Sequence, residues 1–246
     1  EAVACYQKAL EIKPDHAEAH RHLGNVLLEL GKLDEAMASY HKALSIKPHY
    51  AEAYHNLGFG LKGLGKLDEA VVYYRKALTI KPQYVEVHNN LANIFQEQGN
   101  LEEAVASYQK ALSIKPDYAE AHSNLGLSLQ ALGKLDEAVV HYHKALAIKP
   151  DYAVAHYNLG NTFQELKKPD EAVASYHKAL AIKPRFVEVH NNLANIFQEQ
   201  GNLEEAVAGY QTAIDMRPSY AEAHYNLGMA LTVLGRLDDA IFHYHK

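Results

Sequence analysis

The sequence lacks several features that would assign it to a common functional class. It has no tryptophan and a single cysteine, Cys5, so an intrachain disulfide is excluded. No apolar run approaches the roughly 18 residues that a membrane-spanning helix requires, so we expect no membrane insertion. The formal net charge is −6, and no stripe of positive charge is present, so we expect no nucleic-acid partner.

Motifs of catalysis and metal binding are also missing. There is no Gly-rich phosphate loop, nucleophile turn or zinc-protease motif, so the sequence predicts neither enzyme activity nor a cofactor. The histidines include three His-x-His pairs, but helical residues two apart point in different directions, so we predict no metal site. No signal peptide is recognisable, and a cytoplasmic location is expected. Because the chain begins at Glu1 without methionine, we expect the true N-terminus to lie upstream.

What the sequence does contain is a strict repeat. Seven prolines follow one another at intervals of 34 residues: Pro14, Pro48, Pro82, Pro116, Pro150, Pro184 and Pro218. They divide one continuous array, 1–246, into a half repeat 1–16, full repeats 17–50, 51–84, 85–118, 119–152, 153–186 and 187–220, and a partial repeat 221–246. A fixed period of this length indicates stacked supersecondary units.

Each repeat reads as two helices, as residues 119–152 illustrate. Leucines recur at helical spacing before Gly133, which is expected to end the first helix in a left-handed conformation. Pro150 is expected to end the second helix because it has no N–H. Asp15 and Glu18 resemble a capping box for the helix that follows them. The whole chain therefore predicts fifteen helices and no strands.

Two further patterns concern packing. Small residues recur at the eighth position of the repeat and predict close approach of the paired helices: Gly24, Gly58, Ala92, Gly126, Gly160, Ala194 and Gly228. In the fifth repeat, Lys167 replaces the helix-ending glycine and Pro169 occupies a position suited to the start of a helix.

These residues resemble the tetratricopeptide-repeat (TPR) signature over the whole chain. One departure is the fourth position, usually aromatic in that family, which is histidine in six repeats and Tyr54 in the second. The resemblance implies an all-α solenoid that winds as a right-handed superhelix and binds proteins or peptides in a concave groove. Because Ile241 and Tyr244 have no following helix to cover them, we also expect head-to-tail self-association.

Asparagines are the strongest functional signal. They occupy the sixth and ninth positions of the first helices, three residues apart on one face, and are the predicted peptide-binding residues: Asn25, Asn56, Asn90, Asn93, Asn124, Asn158, Asn161, Asn192, Asn195 and Asn226. A carboxamide carries an acceptor and two donors and can pair with a peptide backbone. The alternative is that the sixth-position asparagines bond only to a neighbouring helix. The ninth-position residues are then the better ligand candidates, and their removal is expected to leave stability nearly unchanged.

Two resemblances within the TPR family narrow the function. Arg21, Asn25 and Asn56 match part of the carboxylate clamp of chaperone adaptors, but Glu86 and Asn90 stand where that clamp requires cations, which argues against it. The fragment His88–Tyr108 resembles the asparagine-ladder repeats of O-linked N-acetylglucosamine transferases. Three readings follow: a scaffold that binds an extended segment, a self-assembly module, or the targeting arm of a larger transferase.

A longer period overlies the short one. Residues 85–106 recur identically at 187–208, an offset of 102 residues or three repeats. Duplication of a three-repeat block explains the identity, and two equivalent binding stations would be its functional counterpart.

Overall fold

The computed structural model describes residues 1–245, and within them the chain is entirely helical. Fifteen helices follow in order: α1 Ala2–Ile12, α2 Ala17–Glu29, α3 Leu33–Ile46, α4 Ala51–Gly63, α5 Leu67–Ile80, α6 Val85–Glu97, α7 Leu101–Ile114, α8 Ala119–Ala131, α9 Leu135–Ile148, α10 Ala153–Glu165, α11 Pro169–Ile182, α12 Val187–Glu199, α13 Leu203–Met216, α14 Ala221–Val233 and α15 Leu237–Tyr244. The all-α class and the two-helix repeat are confirmed.

The chain forms two compact units, and each repeats the same packing. In the first unit, Glu1–Ser128, the pairs α2–α3, α4–α5 and α6–α7 pack closely, and each pair contacts the next. In the second unit, which begins at Leu129, the pairs are α10–α11, α12–α13 and α14–α15. First helices of neighbouring repeats also touch, α2 with α4 and α4 with α6 in the first unit, and α12 with α14 in the second.

The recurring tyrosine forms the centre of each helix pair. Tyr40 is fully buried, and a Cβ added to Gly24 would lie only 2.5 Å from its ring carbon Cε1. The same contact recurs between Gly160 and Tyr176. The small eighth residue therefore makes room for the ring, as the sequence predicts, and the close-packed interior leaves no space for a larger side chain.

The joints within repeats follow the glycine pattern with one exception. Six glycines adopt a left-handed backbone after the first helix, with φ between +73° and +81°: Gly31, Gly65, Gly99, Gly133, Gly201 and Gly235. Lys167 takes the same role with φ +57°, and Pro169 begins α11. The chain therefore keeps the turn geometry although a side chain is present there, at a cost that glycine avoids.

The predicted capping box at the start of α2 is wrong. The residue that precedes α2 is His16, and its side chain makes no bond to the helix N-terminus. Glu18 lies 3.3 Å from Nδ1 of His16 and forms an ion pair with Lys47 at 3.5 Å. A hydrogen bond with its own backbone, and the charge of Lys47, lower the pKa of this carboxyl.

Candidate functional site

The ten predicted asparagines all lie in first helices, on the surface that we call the asparagine face, meaning the sixth and ninth positions of those helices. Asn25 is in α2, Asn56 in α4, and Asn90 and Asn93 in α6 of the first unit. All ten are partly exposed except Asn158, whose exposed fraction is 9%. These partly exposed side chains are accessible to a ligand and also contact neighbouring residues.

Eight of the asparagines form pairs across adjacent first helices. The Nδ2 of a sixth-position residue donates to the Oδ1 of the ninth-position residue one repeat earlier, in the pairs Asn56–Asn25 at 2.7 Å, Asn124–Asn93 at 3.2 Å, Asn192–Asn161 at 3.0 Å and Asn226–Asn195 at 3.1 Å. The sequence could place both positions on one face, but their partnership depends on the spacing between helices.

The buried tyrosine hydroxyl joins each pair. It donates to the same Oδ1 atoms, in the contacts Tyr40–Asn25, Tyr108–Asn93, Tyr176–Asn161 and Tyr210–Asn195, at 2.5 to 2.9 Å. Burial raises the pKa of Tyr40 to about 12, so its hydroxyl keeps its proton and remains a donor at neutral pH. Each ninth-position Oδ1 thus accepts two bonds from within the fold.

This geometry corrects the expectation that ninth-position asparagines are dispensable for stability. Removing Asn93 would deprive Asn124 of its acceptor and Tyr108 of the nearer of its two acceptors, and lost hydrogen bonds of partly buried groups are costly. Both positions are structural, and both still keep unused groups. Within residues 1–245, the ninth-position Nδ2 and the sixth-position Oδ1 of these pairs take no part in the hydrogen bonds that join each pair. The sixth-position Nδ2 of Asn226 makes a further contact, with Asn191 Oδ1 at 3.4 Å.

Glutamines at the twelfth position complete the network, and the sequence analysis missed them. Gln96 accepts the Tyr108 hydroxyl at 3.0 Å, and Gln198 accepts that of Tyr210 at 2.9 Å. Gln130 and Gln164 receive the hydroxyls of Tyr142 and Tyr176. The sequence could have identified these glutamines, because they recur at the 34-residue interval three residues beyond the ninth position.

The second repeat departs from the network because Phe59 occupies its ninth position. Without an asparagine acceptor, the fully buried Tyr74 hydroxyl has no hydrogen-bond partner among residues 1–245. Asn90 instead donates to Nε2 of His55 at 3.1 Å, and Tyr84 lies 3.4 Å from the other ring nitrogen. Burial lowers the pKa of His55, which keeps the ring neutral and able to accept.

Three depressions along the asparagine face mark where a ligand could enter, and we call them stations. The first, about 270 Å³, is partly apolar and is lined by Asn25, Leu28, Glu29, Tyr40, His55, Asn56 and Phe59. The second, about 190 Å³, is lined by Asn93, Gln96, Glu97, Tyr108 and Asn124. The third, in the second unit, is about 390 Å³ and is lined by Gln164, Asn195, Gln198, Glu199, Tyr210, Glu222 and Asn226.

A larger and more apolar hollow of about 750 Å³ lies elsewhere in the second unit. Leu146 of α9, Leu159 and Phe163 of α10, and Ile182 of α11 line it. None of the ten predicted asparagines takes part in its lining. The hollow is therefore a separate feature, formed where two second helices flank a first helix.

The fourth-position histidines have a shared structural role. Each donates from Nε2 to the carbonyl of the proline six residues earlier, at 2.8 to 3.1 Å, in His20, His88, His122, His156, His190 and His224.

Cys5 is exposed. Residues 1–245 hold no group of three His, Cys, Asp or Glu side chains placed to share a metal ion. No helix in the same range has the length and apolar character to cross a membrane.

Comparisons with known proteins agree with this architecture. A family model described as TPR repeat matches residues 1–31, 24–63, 61–99, 92–133 and 194–235. Two models described as tetratricopeptide repeat match residues 117–185 and 163–209. No significant match exists among curated protein sequences.

Solved structures with similar folds include YrrB, described as a TPR protein with an unusual peptide-binding site. It is 26% identical, with a TM-score of 0.65, over 75% of this chain and 95% of YrrB. Pseudomonas aeruginosa pilF is 25% identical, with a TM-score of 0.71, over 78% and 88%. Cut9 in the APC/C hetero-tetramer Cut9–Hcn1 is 18% identical, with a TM-score of 0.74, over 94% of this chain and 45% of its own; this likeness concerns the fold alone.

Proposed function

The chain belongs to the tetratricopeptide-repeat family, and from this premise we propose that it is a non-catalytic scaffold that holds an extended peptide segment along its asparagine face. The proposal rests on one observation: the fold uses only some of the hydrogen-bonding groups of each asparagine pair. The NH₂ group of the sixth-position residue and the oxygen of the ninth-position residue bond to each other inside the fold, and the ninth-position NH₂ group and the sixth-position oxygen remain for a ligand. A peptide unit offers one C=O and one N–H, so it complements what remains.

The spacing of the pairs also suits an extended segment. Pairs recur on neighbouring or alternate first helices, and packed helices lie about 8–10 Å apart. An extended chain advances about 3.3 Å per residue, so roughly three residues would span the step from one first helix to the next. Contacts of this kind read the backbone, so binding should be broad in sequence. YrrB, whose fold is similar, is described as having a peptide-binding site, which supports a related role here.

The test uses a change that removes the outward donor and keeps the inner acceptor. In Asn93→Asp with Asn195→Asp, one carboxylate oxygen still accepts from the tyrosine and from the next asparagine, while the outward NH₂ becomes an acceptor. We expect retention of peptides without lysine or arginine, on an array of random-sequence peptides, to fall by about two- to tenfold per station, the equivalent of one lost hydrogen bond.

The matched control adds the same charge elsewhere in the duplicated block. Asn100 and Asn202 are exposed residues that precede α7 and α13, and Asp suits such a position. Asn100→Asp with Asn202→Asp should leave retention unchanged. Equal retention by both double variants would remove the asparagine face from the function and would favour the self-assembly reading, for which sedimentation at high concentration is the measurement.

The transferase-arm reading is a more specific form of the same proposal. It is favoured by the resemblance of His88–Tyr108 to the repeats of O-linked N-acetylglucosamine transferases. In that case the bound segment would belong to a substrate of the transferase. Determination of the complete reading frame tests it, and a frame without a transferase domain would reject it.

A further inference from the structure

The second and third stations are two copies of one site, and each unit carries one of them. The third contains Asn195, Gln198, Glu199, Tyr210 and Asn226, which lie 102 residues after the five residues that line the second. Three of the five residues in each copy lie within the repeated segments 85–106 and 187–208, and the tyrosine lies two residues beyond the segment. The same tyrosine-to-asparagine and tyrosine-to-glutamine bonds form in both.

Each copy presents one charged group that the fold does not use. Glu97 borders the second station and Glu199 the third, and neither makes a hydrogen bond or an ion pair within residues 1–245. The equivalent residue of the fifth repeat is occupied, because Gln130 donates to the carboxylate of Glu165. In the first station, Glu29 lies beside Leu28 and Phe59, which make that depression partly apolar.

The charge around both stations has one sign. No lysine or arginine is among the residues that line either depression, and Glu222 adds a second carboxylate to the third. Burial raises the pKa of Tyr210, and the negative charges of Glu199 and Glu222 raise it further, so both carboxylates act on the interior of this station. A bound segment would therefore meet backbone-binding carboxamides flanked by negative charge.

We propose that the second and third stations each select a lysine or arginine side chain, which pairs with Glu97 or Glu199 while the asparagines hold the adjacent backbone. This rests on the proposed function and adds to it the class of side chain that is recognised. An ammonium or guanidinium group complements an unpaired carboxylate, and the planar arginine fork can take both carboxylate oxygens. Glu97 and Glu199 are exposed, so each pair should favour a basic peptide by about two- to fivefold.

The experiment compares which random-sequence peptides the wild-type chain and two double variants retain. We expect peptides retained by the wild type to be enriched in lysine and arginine. Glu97→Gln with Glu199→Gln should reduce the enrichment strongly, leaving only the contribution of Glu222 in the third station, while peptides without a basic residue stay bound. The matched control, Glu103→Gln with Glu205→Gln, removes two exposed charges of the same duplicated block outside the stations and should keep the enrichment.

The preference for a basic peptide should fall more in Glu97→Gln than in Glu199→Gln. Because Glu222 lines the third station, Glu199→Gln leaves one carboxylate there, whereas Glu97→Gln leaves none in the second. Single variants, titrated with one retained basic peptide and with the same peptide carrying glutamine in place of its lysine or arginine, separate the two contributions.

Failure of this inference and failure of the proposed function give different results. If peptides bind, lose affinity in Asn93→Asp with Asn195→Asp, and show no basic enrichment, peptide binding stands and the inference is overturned. Enrichment that is undiminished in Glu97→Gln with Glu199→Gln overturns it as well. If the wild type retains no peptide, or the asparagine variants change nothing, the proposed function itself fails and the inference with it.

Discussion

At the scale of single residues, the tyrosine hydroxyls show how identical side chains acquire different energetic roles. Tyr108 donates to Asn93 and Gln96, whereas the equally buried Tyr74 finds no partner, because Phe59 and Lys62 occupy the corresponding positions. The sequence reveals which of these positions hold asparagine or phenylalanine. It could not reveal that the hydroxyl reaches them, because that depends on how closely each helix pair packs.

The first prediction compares phenylalanine at these two positions. Tyr108→Phe removes a hydroxyl proton that is shared between two acceptors, Asn93 and Gln96, and should lower the free energy of unfolding by about 1–2 kcal/mol. Tyr74→Phe removes a hydroxyl that is buried without a partner, so it should be neutral or stabilising. Urea denaturation of both variants measures the difference, and equal losses would contradict the network.

A second prediction concerns the pH dependence of stability. Burial lowers the pKa of His55 from its ordinary value of 6.5, so the fold favours the neutral ring. The stability this represents is present above pH 6.5 and is lost as the pH falls through the lower value in the folded state. Protonation would also take away the acceptor for Asn90.

The variant for this test is His55→Asn, since asparagine occupies the same repeat position at Asn89 and Asn191. Its melting temperature should fall less than that of the wild type between pH 7.5 and pH 5. A residual fall is expected because burial also lowers the pKa values of His22 and His156. Identical falls in both proteins would show that His55 contributes nothing.

At the scale of helices, the sequence was most informative. Gly133 has the expected left-handed backbone after α8, and Pro150 follows the end of α9 at Ile148. These signals are local, since φ above zero favours glycine and a missing N–H ends a helix whatever lies around it. The capping box at Asp15 is not formed, because α2 begins at Ala17 with His16 as its N-cap; Glu18 also pairs with Lys47, 29 residues further along the chain.

The third prediction uses the exceptional joint between α10 and α11. Lys167 has φ +57°, and a left-handed backbone costs a non-glycine residue roughly 1–2 kcal/mol. Glycine removes that cost but adds freedom to the unfolded chain, so Lys167→Gly should stabilise the second unit by about 0.5–1 kcal/mol. The reverse change at Gly133 should destabilise by a similar amount. Unfolding curves of the two variants check the opposite signs, and a loss of stability in Lys167→Gly would refute the assignment.

At the scale of the whole chain, the sequence shows a segment repeated at 85–106 and 187–208, and one copy lies in each of the two compact units, but it does not predict the division into units. It also placed all ten candidate asparagines on first helices. The pairing of asparagines and the participation of Gln96 and Gln198 lay beyond it, because both arise between helices rather than along one. A single array over 1–246 and self-association of its ends stay predictions.

The fourth prediction tests whether substitutions in the two units affect the free energy of unfolding independently. Tyr108 and Tyr210 belong to different units and share no partner, so the losses caused by Tyr108→Phe and Tyr210→Phe should add within about 0.5 kcal/mol. Tyr108→Phe and Asn124→Ala both affect the acceptor Asn93, so their combination should depart from additivity by more than that. Denaturation of the single and double variants completes both cycles.

The bond from each fourth-position histidine to a proline carbonyl bears on how the chain carries mechanical load. The bond crosses the joint between a second helix and the next first helix, and it links these two helices at six joints. At the joint between α3 and α4 the fourth residue is Tyr54, which stacks on Tyr73 and does not reach the Pro48 carbonyl. Under tension, we therefore expect the first unit to open at the joint between α3 and α4 before the joints that carry this hydrogen bond.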